Sequence, residues 1–354
     1  MAKKTKVALL FGGRSAEHEV SIRSASAIFD NLDKHKFRVI SIYINKRGRW
    51  KKVASPLLPS TELRPGPFID FLPWKNKSPS WPFQADIYFP VLHGPFGEDG
   101  TIQGLLEMAD VPYVGAGVLA SAAGMDKDAM KTLFVSKNLP VVKHRVFLEI
   151  DWKKSPNKIL NLIRREFRLP LFVKPANLGS SVGITKVKNR AQTRAALELA
   201  FHYDRKILVE EGIQGREFEC SVLGNDEPEA SLPGEIIPFR EFYDYSDKYL
   251  DGKTRFIIPA DLPAAMARTI RRLAVKAFKA CDGAGMARVD FFLEVRSRKL
   301  FVSEINTIPG FTAISMYPKL WEVSGLPFPR LIERLIELGF ERHRAKKRCL
   351  ARNP

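Results

Sequence analysis

The chain has few cysteines, and those it has are far apart. Three occur among 354 residues, at Cys220, Cys281 and Cys349, and no two of them form a CxxC pair. This number and spacing exclude a disulfide framework and indicate no cysteine-based zinc site. Such cysteine usage is typical of a reducing compartment, so we expect the protein to act in the cytoplasm.

The sequence also lacks an apolar run long enough to span a bilayer, so we expect no membrane anchor. Its start is similar to a signal peptide, because lysines precede the apolar residues 7–11. That run is short, however, and it is followed at once by Arg14, Glu17 and Glu19. It therefore predicts a first buried strand rather than a signal peptide.

Acidic residues are scarce relative to basic ones. Lys and Arg number 57 against 39 Asp and Glu, which gives a net charge of +18. This charge indicates anionic ligands without choosing among them. Nucleic-acid binding would account for it, and salt-sensitive retention on DNA would test that role, but the basic residues are scattered and no nucleic-acid module is recognisable. The one dense basic run predicts a solvated tail at 341–354, after the last helix.

The first part of the chain has the pattern of a parallel α/β domain. Residues 7–11 and 37–44 are strand-like, and the segment 15–32 between them has helical spacing. This βαβ signature predicts an α/β domain over 1–122. Seven prolines within 51–83 predict an irregular surface excursion.

A second buried strand of this domain is expected at 85–92, where the apolar run is continuous. The loop that follows contains His93. Ligands of open α/β sheets bind at the carboxyl ends of strands, so this loop is a candidate binding segment.

Two further regions are expected, at 123–215 and 216–340. The first begins with a predicted helix at 127–138, and its strands are predicted at 171–174 and 207–210. The loop after the strand 171–174 supplies one lysine, two glycines and two serine hydroxyls. Such a loop can cradle phosphate, because glycines let backbone N–H groups turn toward oxyanions. Its residue order is not that of a P-loop, and a plain hairpin connection is the alternative.

Three oxygen-bearing side chains lie in apolar, strand-like surroundings in the last region. Glu304 and Asn306 are two residues apart and point to one face, whereas Ile305 points to the opposite layer. Together with Asp290 they form a hard ligand set that suits Mg²⁺ beside nucleotide phosphates. The alternative is a sheet edge with solvated acids. One shared site requires Asp290 on the same face, and hence an odd-length loop or a bulge in the hairpin.

The segment 12–19 joins the first strand to the first helix. Backbone donors at the helix start can hold a carboxylate, and Glu17 can hold an ammonium group. A dinucleotide fingerprint is incomplete, because the second strand ends at Asn45 and Lys46 without an acid for a ribose. Alternatively, Glu17 is a first-turn acid that complements the helix dipole.

Several long motifs occur in a characteristic order. They are GGRSAEHEVS, LHGPFGEDG, MDKDAMK, PLFVKPANLGSSVGITKV, VEEGIQGREFEC, FYDYSDKYL, GMARVDFF and SEINTIPGFTAISMYPKLW. Through these motifs the chain resembles, from residue 7 to about 341, the D-alanine–D-alanine ligases of the ATP-grasp superfamily. The resemblance implies an N-terminal parallel α/β domain followed by a two-subdomain ATP-grasp fold of α+β type.

The resemblance also implies ATP, held between the second and third regions, and two divalent ions. The residues that match are Lys127 and Lys174 at the phosphates, Glu210, Glu211 and Ile213 at the adenine, Glu217 at the ribose, and Asp290, Glu304 and Asn306 at two Mg²⁺ or Mn²⁺ ions.

The implied reaction joins two D-alanines through a D-alanyl phosphate, for peptidoglycan precursor synthesis. Glu17 matches the residue that receives the ammonium group of the first D-alanine, and His93 lies in the loop beside it. A loop histidine is as often a structural hydrogen-bonding group. Ser180 and Tyr249 match a pair that hydrogen-bonds with Glu17 and closes the site.

Three further residues match groups that act in the second step of this reaction, in which the amine of the second D-alanine attacks the D-alanyl phosphate. Ser315 matches a contact to the carboxylate of the second substrate, and Arg288 with the Gly310 N–H matches the donors that stabilise an oxyanion. Arg288 is alternatively a structural ion pair for Asp290. The family further implies that the protein is a homodimer and that it binds the small-molecule substrates D-alanine and ATP. It implies binding neither to nucleic acid nor to a membrane.

The nearest rival is a D-alanine–D-lactate ligase, in which the position of Tyr249 is typically phenylalanine. Lys248 and Tyr249 therefore favour dipeptide formation. A more distant rival is another ATP-grasp carboxylate–amine ligase, which need not carry SAEHEVS. The tyrosine-rich segment 233–259 is long enough to act as a lid over an acyl phosphate, with an ordinary surface loop as the alternative.

Overall fold

The computed structural model describes residues 3–56, 84–238, 254–312 and 314–350. Tyr249, most of the expected lid and most of the proline-rich excursion lie outside these described residues. Within them the chain forms three sheets, whose strands lie within residues 5–91, 144–211 and 215–306. No helix in the described ranges is long and apolar enough to cross a membrane.

The N-terminal region contains a sheet that is parallel at its centre, as the βαβ pattern predicts. Its elements are β1 (Thr5–Gly12), α1 (His18–Asn31), β2 (Phe37–Ile44), β3 (Trp50–Val53), β4 (Ile87–Val91), α2 (Thr101–Met108) and α3 (Val118–Met125). The strand order is β3-β2-β1-β4, and β1 is parallel to both β2 and β4. Residues 7–11 of β1 and the whole of β4 are buried, as expected for continuous apolar runs in strands that are covered on both faces.

Strand β3 corrects the expectation that residues 51–83 are irregular from their beginning. The side chain of Asn45 accepts the backbone N–H groups of Arg47 and Arg49, both at 2.9 Å, and Gly48 has a positive φ of 77°. This local turn returns the chain, so β3 pairs antiparallel with β2.

The central region is an antiparallel sheet of order β5-β8-β6-β7 with helices packed on it. The Asp126 side chain accepts the N–H groups of Asp128 and Ala129 and so begins the first helix at Lys127, as the sequence predicts. The elements are α4 (Lys127–Ser136), β5 (His144–Leu148), α5 (Glu149–Lys154), α6 (Pro156–Glu166), β6 (Leu171–Pro175), β7 (Thr185–Val187), a 3₁₀ turn (Arg190–Gln192), α7 (Thr193–Tyr203) and β8 (Lys206–Glu211).

The C-terminal region is a second antiparallel sheet, of order β12-β11-β9-β13-β14, with β10 beside β9. Its elements are β9 (Gly215–Gly224), β10 (Glu229–Ala230), β11 (Gly234–Ile237), β12 (Arg255–Ile257), α8 (Ala264–Ala280), β13 (Gly285–Glu294), β14 (Leu300–Asn306), α9 (Met316–Val323) and α10 (Phe328–Leu350). The apolar face of α8 covers one side of this sheet.

The β13–β14 hairpin contains the bulge that a shared metal-binding face requires. Asp290 pairs with Glu304 and Arg288 pairs with Asn306, and the register shifts by one residue directly after Asp290. These four side chains therefore share one face of the sheet. Ile305 is 3% exposed and packs in the opposite layer. The geometric prediction for the hairpin is confirmed.

Helix α10 corrects the expectation of a solvated tail at 341–354, because the helix continues through residue 350. Arg342 lies 4.0 Å from the ring centre of Tyr113 and 3.2 Å from Glu107, and Lys346 also pairs with Glu107. These contacts dock the basic end of the helix on the N-terminal region. The sequence run itself shows only the charges, not the acid that binds them.

The apolar face of α10 also completes the core of the N-terminal region. Leu331 and Leu335 are fully buried and share one cluster with Val7 and Leu9 of β1. The first and last parts of the chain therefore fold around a common core.

Gly339→Ala is expected to lower stability, although alanine favours a helix by about 1 kcal/mol over glycine. A Cβ at this position would lie 2.8 Å from both Ile87 Cδ1 and the Tyr113 carbonyl oxygen. Overpacking of this kind costs roughly 1–3 kcal/mol, so we expect a lower urea midpoint. In the control Gly104→Ala a Cβ meets nothing within 4 Å, and the midpoint should rise. A higher midpoint for Gly339→Ala would contradict the tight packing of α10.

Candidate active site

Two adjoining cavities are lined by every described residue that the sequence analysis assigned to a site. They share Glu304, so the groups assigned to substrate and to nucleotide meet at one hairpin face. Tyr249 is outside the described residues. The first cavity, of about 340 Å³, is lined by Glu17, His93, Lys127, Ser180, Arg288, Glu304, Asn306, Gly310 and Ser315. The second, of about 660 Å³, is lined by Lys174, Glu210, Glu211, Ile213, Glu217, Asp290 and Glu304.

The Glu17 carboxylate reaches the glycine–serine loop of the central region, where Ser180 Oγ donates a hydrogen bond to it. Glycines allow this approach: a Cβ on Gly94 would lie 2.9 Å from Glu17 Oε2, and one on Gly179 would lie 3.0 Å away. Glu17 is the N-cap of α1, but its side chain makes no capping hydrogen bond. Its position in the cavity wall thus suits an ammonium ligand better than a purely helix-stabilising role.

His93 acts as a structural hydrogen-bonding group, which is the alternative that the sequence left open. Its Nδ1 lies 3.0 Å from the Ile308 carbonyl oxygen, and its Nε2 lies 3.0 Å from Ser24 Oγ. These partners assign the proton to Nδ1, so the Ser24 hydroxyl donates to Nε2. Burial lowers the pKa of His93. The neutral ring ties α1 to the loop after β14, and its contact with substrate stays a prediction.

Arg288 is held by carboxylates on two strands. Its Nε and Nη2 donate to the two oxygens of Asp290, both at 2.7 Å, and Glu219 lies 3.1 Å away on β9. Burial opposes the charge, but these carboxylates raise the pKa of Arg288 well above its ordinary value. The ion pair with Asp290 is therefore present. An additional role at an oxyanion stays a prediction.

The oxygen atoms beside Arg288 fit a hard divalent cation. Asp290, Glu304 and Asn306 supply two carboxylates and one amide on the same hairpin face, and Asn306 Nδ2 donates to Asp290 Oδ2 at 3.2 Å. No group of three or more His, Cys, Asp or Glu that could hold a metal occurs among the described residues. An ion here would thus complete its ligand sphere with water or phosphate, as Mg²⁺ does.

The second cavity contains a buried carboxylate between two lysines. Lys174 on β6 donates to one oxygen of Glu210, and Lys131 on α4 lies 2.6 Å from the other. Burial by itself would raise the pKa of Glu210, but the two ammonium groups lower it to about 2. Lys127 Nζ donates to the Leu178 carbonyl oxygen at 2.5 Å. Lys174 therefore lines this cavity, Lys127 lines the first one, and Lys131 lies behind Glu210.

Comparison with known families accounts for this arrangement. The D-ala D-ala ligase N-terminus family matches residues 6–116, and the D-ala D-ala ligase C-terminus family matches residues 133–337. The chain belongs to the D-alanine–D-alanine ligase family. The expected α/β architecture with an ATP-grasp fold is thereby confirmed.

Individual relatives of this ligase family match nearly the whole chain. The D-alanine–D-alanine ligase of Solibacter usitatus is 51% identical over 344 residues, which are 97% of this chain and 98% of the relative. The structure of the D-alanine–D-alanine ligase from Coxiella burnetii is 39% identical, with a TM-score of 0.84 over 99% and 98% of the two chains. A D-alanine:D-serine ligase from Enterococcus faecalis is 36% identical, with a TM-score of 0.82 over 95% and 100%. The ligase fold alone therefore does not identify the second substrate.

Three ionisable residues in or beside the ligase site were missed by the sequence analysis, and each had a signal. Lys131 follows Lys127 by one helical turn and so shares its face. Glu219 follows Glu217 by two residues on a strand and also shares its face. Glu98 lies within the LHGPFGEDG motif, only five residues after His93.

Glu98 connects two loops of the ligase site. Its Oε2 accepts the Gly94 N–H at 2.7 Å, and its Oε1 accepts the Ile308 N–H at 3.3 Å. Burial, followed by the charge of Glu17, raises the pKa of Glu98 to about 8, although the two backbone donors and Arg288 act in the opposite direction. Glu98 is therefore mainly protonated at neutral pH.

Binding of D-alanine at about pH 7 is expected to release part of a proton from Glu98. An ammonium group at Glu17 would offset the charge of Glu17, the second cause of the raised pKa, so this pKa would fall while burial continues to raise it. Calorimetry in two buffers with different ionisation enthalpies measures the proton release. Glu98→Gln should release none, and equal binding heats for the unaltered protein in both buffers would contradict the prediction.

Proposed function

We propose that the protein ligates two D-alanines to D-alanyl-D-alanine, converting ATP to ADP and phosphate, for peptidoglycan precursor synthesis. The observation that carries this proposal is the meeting of the two cavities at the face with Arg288 and Glu304. An amino acid bound through its ammonium group at Glu17 would present its carboxylate to this face. The phosphates of a nucleotide in the second cavity would lie beside that carboxylate.

The first step makes the carboxylate a better electrophile. Glu17, oriented by Ser180, binds the ammonium group of the first D-alanine. A carboxylate oxygen attacks the γ-phosphorus of ATP, the bond to the β–γ bridging oxygen breaks, and ADP leaves. Lys127 and Lys174 offset the charge of the transferring phosphoryl group. The product of this step is D-alanyl phosphate.

Asp290, Glu304 and Asn306 would hold two Mg²⁺ or Mn²⁺ ions. When bound, the ions neutralise the phosphate oxygens and orient them for transfer. The chain itself contributes the position of the ligands, because the bulged hairpin keeps all three oxygen-bearing side chains on one face.

The second step forms the amide bond. The amine of the second D-alanine attacks the acyl carbon, the oxyanion is stabilised by Arg288 and the Gly310 N–H, and phosphate leaves as the amine loses its proton. Ser315 binds the second carboxylate. A Cβ at position 310 would lie 2.8 Å from Ser315 Oγ, so glycine lets both groups approach the same substrate. No covalent enzyme nucleophile is required.

A second candidate function differs only in the acceptor. Similarity to a D-alanine:D-serine ligase of 36% identity supports this candidate, and a D-lactate acceptor is the rival raised by the sequence. The Lys248–Tyr249 pattern supports the amine acceptor D-alanine over D-lactate.

The test is phosphate release from ATP with D-alanine, L-alanine, D-serine and D-lactate, offered separately and in pairs, with mass spectrometry of the products. We expect D-alanine-dependent phosphate release and D-alanyl-D-alanine as the main product. Absence of the dipeptide, or equal use of L-alanine, would refute the proposed function. A dominant mixed product would favour the second candidate.

Two further proposals accompany this function. Because the reaction consumes ATP, we assign it to the cytoplasm. We also propose a homodimer on the basis of the family resemblance, and analytical ultracentrifugation tests this oligomeric state.

A further inference from the structure

We infer that Lys131 is a positioning residue for ATP binding: it keeps the buried Glu210 carboxylate paired, so that Lys174 is released to the phosphates of ATP. The inference rests on the proposed function, because it requires ATP as the ligand of Lys174. It assigns a role to a buried lysine outside the two cavities.

The two lysines differ in their access to the second cavity. Lys131 lies 2.6 Å from Glu210 Oε1, and the two side chains are only 3% and 4% exposed. Lys174 pairs with the other oxygen of Glu210 and is 16% exposed. Lys174 lines the cavity, whereas Lys131 lines neither cavity. Only Lys174 is therefore able to change partner when a nucleotide enters.

Two lysines of helix α4 contact different parts of the site. Lys127 and Lys131 are one helical turn apart and share a face. Lys127 Nζ bonds the Leu178 carbonyl oxygen in the glycine–serine loop, whereas Lys131 Nζ lies against Glu210 and 3.4 Å from the Ser303 carbonyl oxygen. Lys131 is thus anchored between two strands, away from the loop that would hold phosphate.

ATP competes with Glu210 for Lys174. Burial would lower the pKa of Lys174, but Glu210 raises it, so the pair is strong before ATP binds. When Lys174 turns to a phosphate, a buried carboxylate without another partner would be left uncompensated, at a large energetic cost. Lys131 removes this cost, because it stays paired with Glu210 throughout.

The test is the dissociation constant of ATP, measured by calorimetry without D-alanine. Lys131→Met replaces the ammonium group by an apolar chain of similar length and should weaken ATP binding at least tenfold, or about 1.4 kcal/mol. The control Lys153→Met makes the same change in the exposed pair with Glu149, where the lysine side chain is 64% exposed. It should leave ATP binding unchanged.

A double-variant cycle separates this role from simple packing. In Glu210→Gln the neutral amide needs no counter-ion, so adding Lys131→Met should weaken ATP binding less than twofold. Comparison within the Gln background cancels any direct contact of residue 210 with adenine. Equal losses in the two backgrounds would overturn the inference.

The outcomes also distinguish this inference from the proposed function. If the unaltered protein does not bind ATP, the proposed function fails and the inference fails with it. If the unaltered protein binds ATP and Lys131→Met binds equally well, only the inference fails. Thermal unfolding verifies that each variant is folded. If Lys131→Met is not folded, Lys131→Gln takes its place in the same cycle.

Discussion

Replacing Arg288 by methionine is expected to lower kcat by about 10²- to 10³-fold, the typical cost of losing one oxyanion donor. The guanidinium lines the first cavity and is kept charged by Asp290 and Glu219. In the second step it would face the oxyanion of the tetrahedral intermediate. Steady-state rates of D-alanyl-D-alanine formation measure the effect.

Two comparisons make this result specific. Arg330→Met removes an arginine that is 63% exposed on α10 and should leave kcat unchanged. The dissociation constant of ATP should change little in Arg288→Met, because Lys127 and Lys174 remain. A kcat near that of the unaltered protein would show that Arg288 does not stabilise the oxyanion and serves only in the structural ion pair with Asp290.

Glu304→Gln is expected to weaken divalent metal binding by about 100-fold or more. Removal of a residue that only orients a metal ligand typically costs about 10- to 100-fold in affinity, and Glu304 would be a ligand itself. The change removes a charged oxygen ligand from the face shared with Asp290 and Asn306. The signal of free Mn²⁺ in electron paramagnetic resonance, recorded with ADP present, measures binding directly. Activity should fall in parallel and recover in part at high Mn²⁺.

The matched control is Glu294→Gln. Glu294 is the last residue of β13, beside the hairpin turn, and its carboxylate accepts a hydrogen bond from Ser297. It makes the same chemical change in the same hairpin and should leave Mn²⁺ binding unchanged. If Glu304→Gln binds Mn²⁺ as tightly as the control, the hairpin face is not the metal site.

Much of the fold could be predicted because strand and helix patterns are local. The alternation of side chains placed Glu304 and Asn306 on one face and Ile305 in the core, as the structure has them. The same reasoning required a bulge or an odd loop near Asp290, and the structure contains the bulge. The capped start of α4 at Lys127 was likewise readable from neighbouring residues.

The errors of the sequence analysis concern elements whose partners are distant. The basic run that contains Arg342 was interpreted as a solvated tail, but it belongs to a helix that binds Glu107, 235 residues earlier. The hairpin of β2 and β3 was missed for another reason: prolines further along 51–83 outweighed the turn at Asn45.

By itself, the sequence determined the βαβ start, the lysine- and glycine-bearing loop, the hairpin face and the family to which they belong, because each depends on neighbouring residues in order. Only the tertiary structure decided that His93 and Glu98 both bind Ile308, more than 200 residues away. It also decided that Glu210 lies between Lys131 and Lys174. Burial and charge pairing depend on which distant segments pack together, and a local pattern does not contain that information.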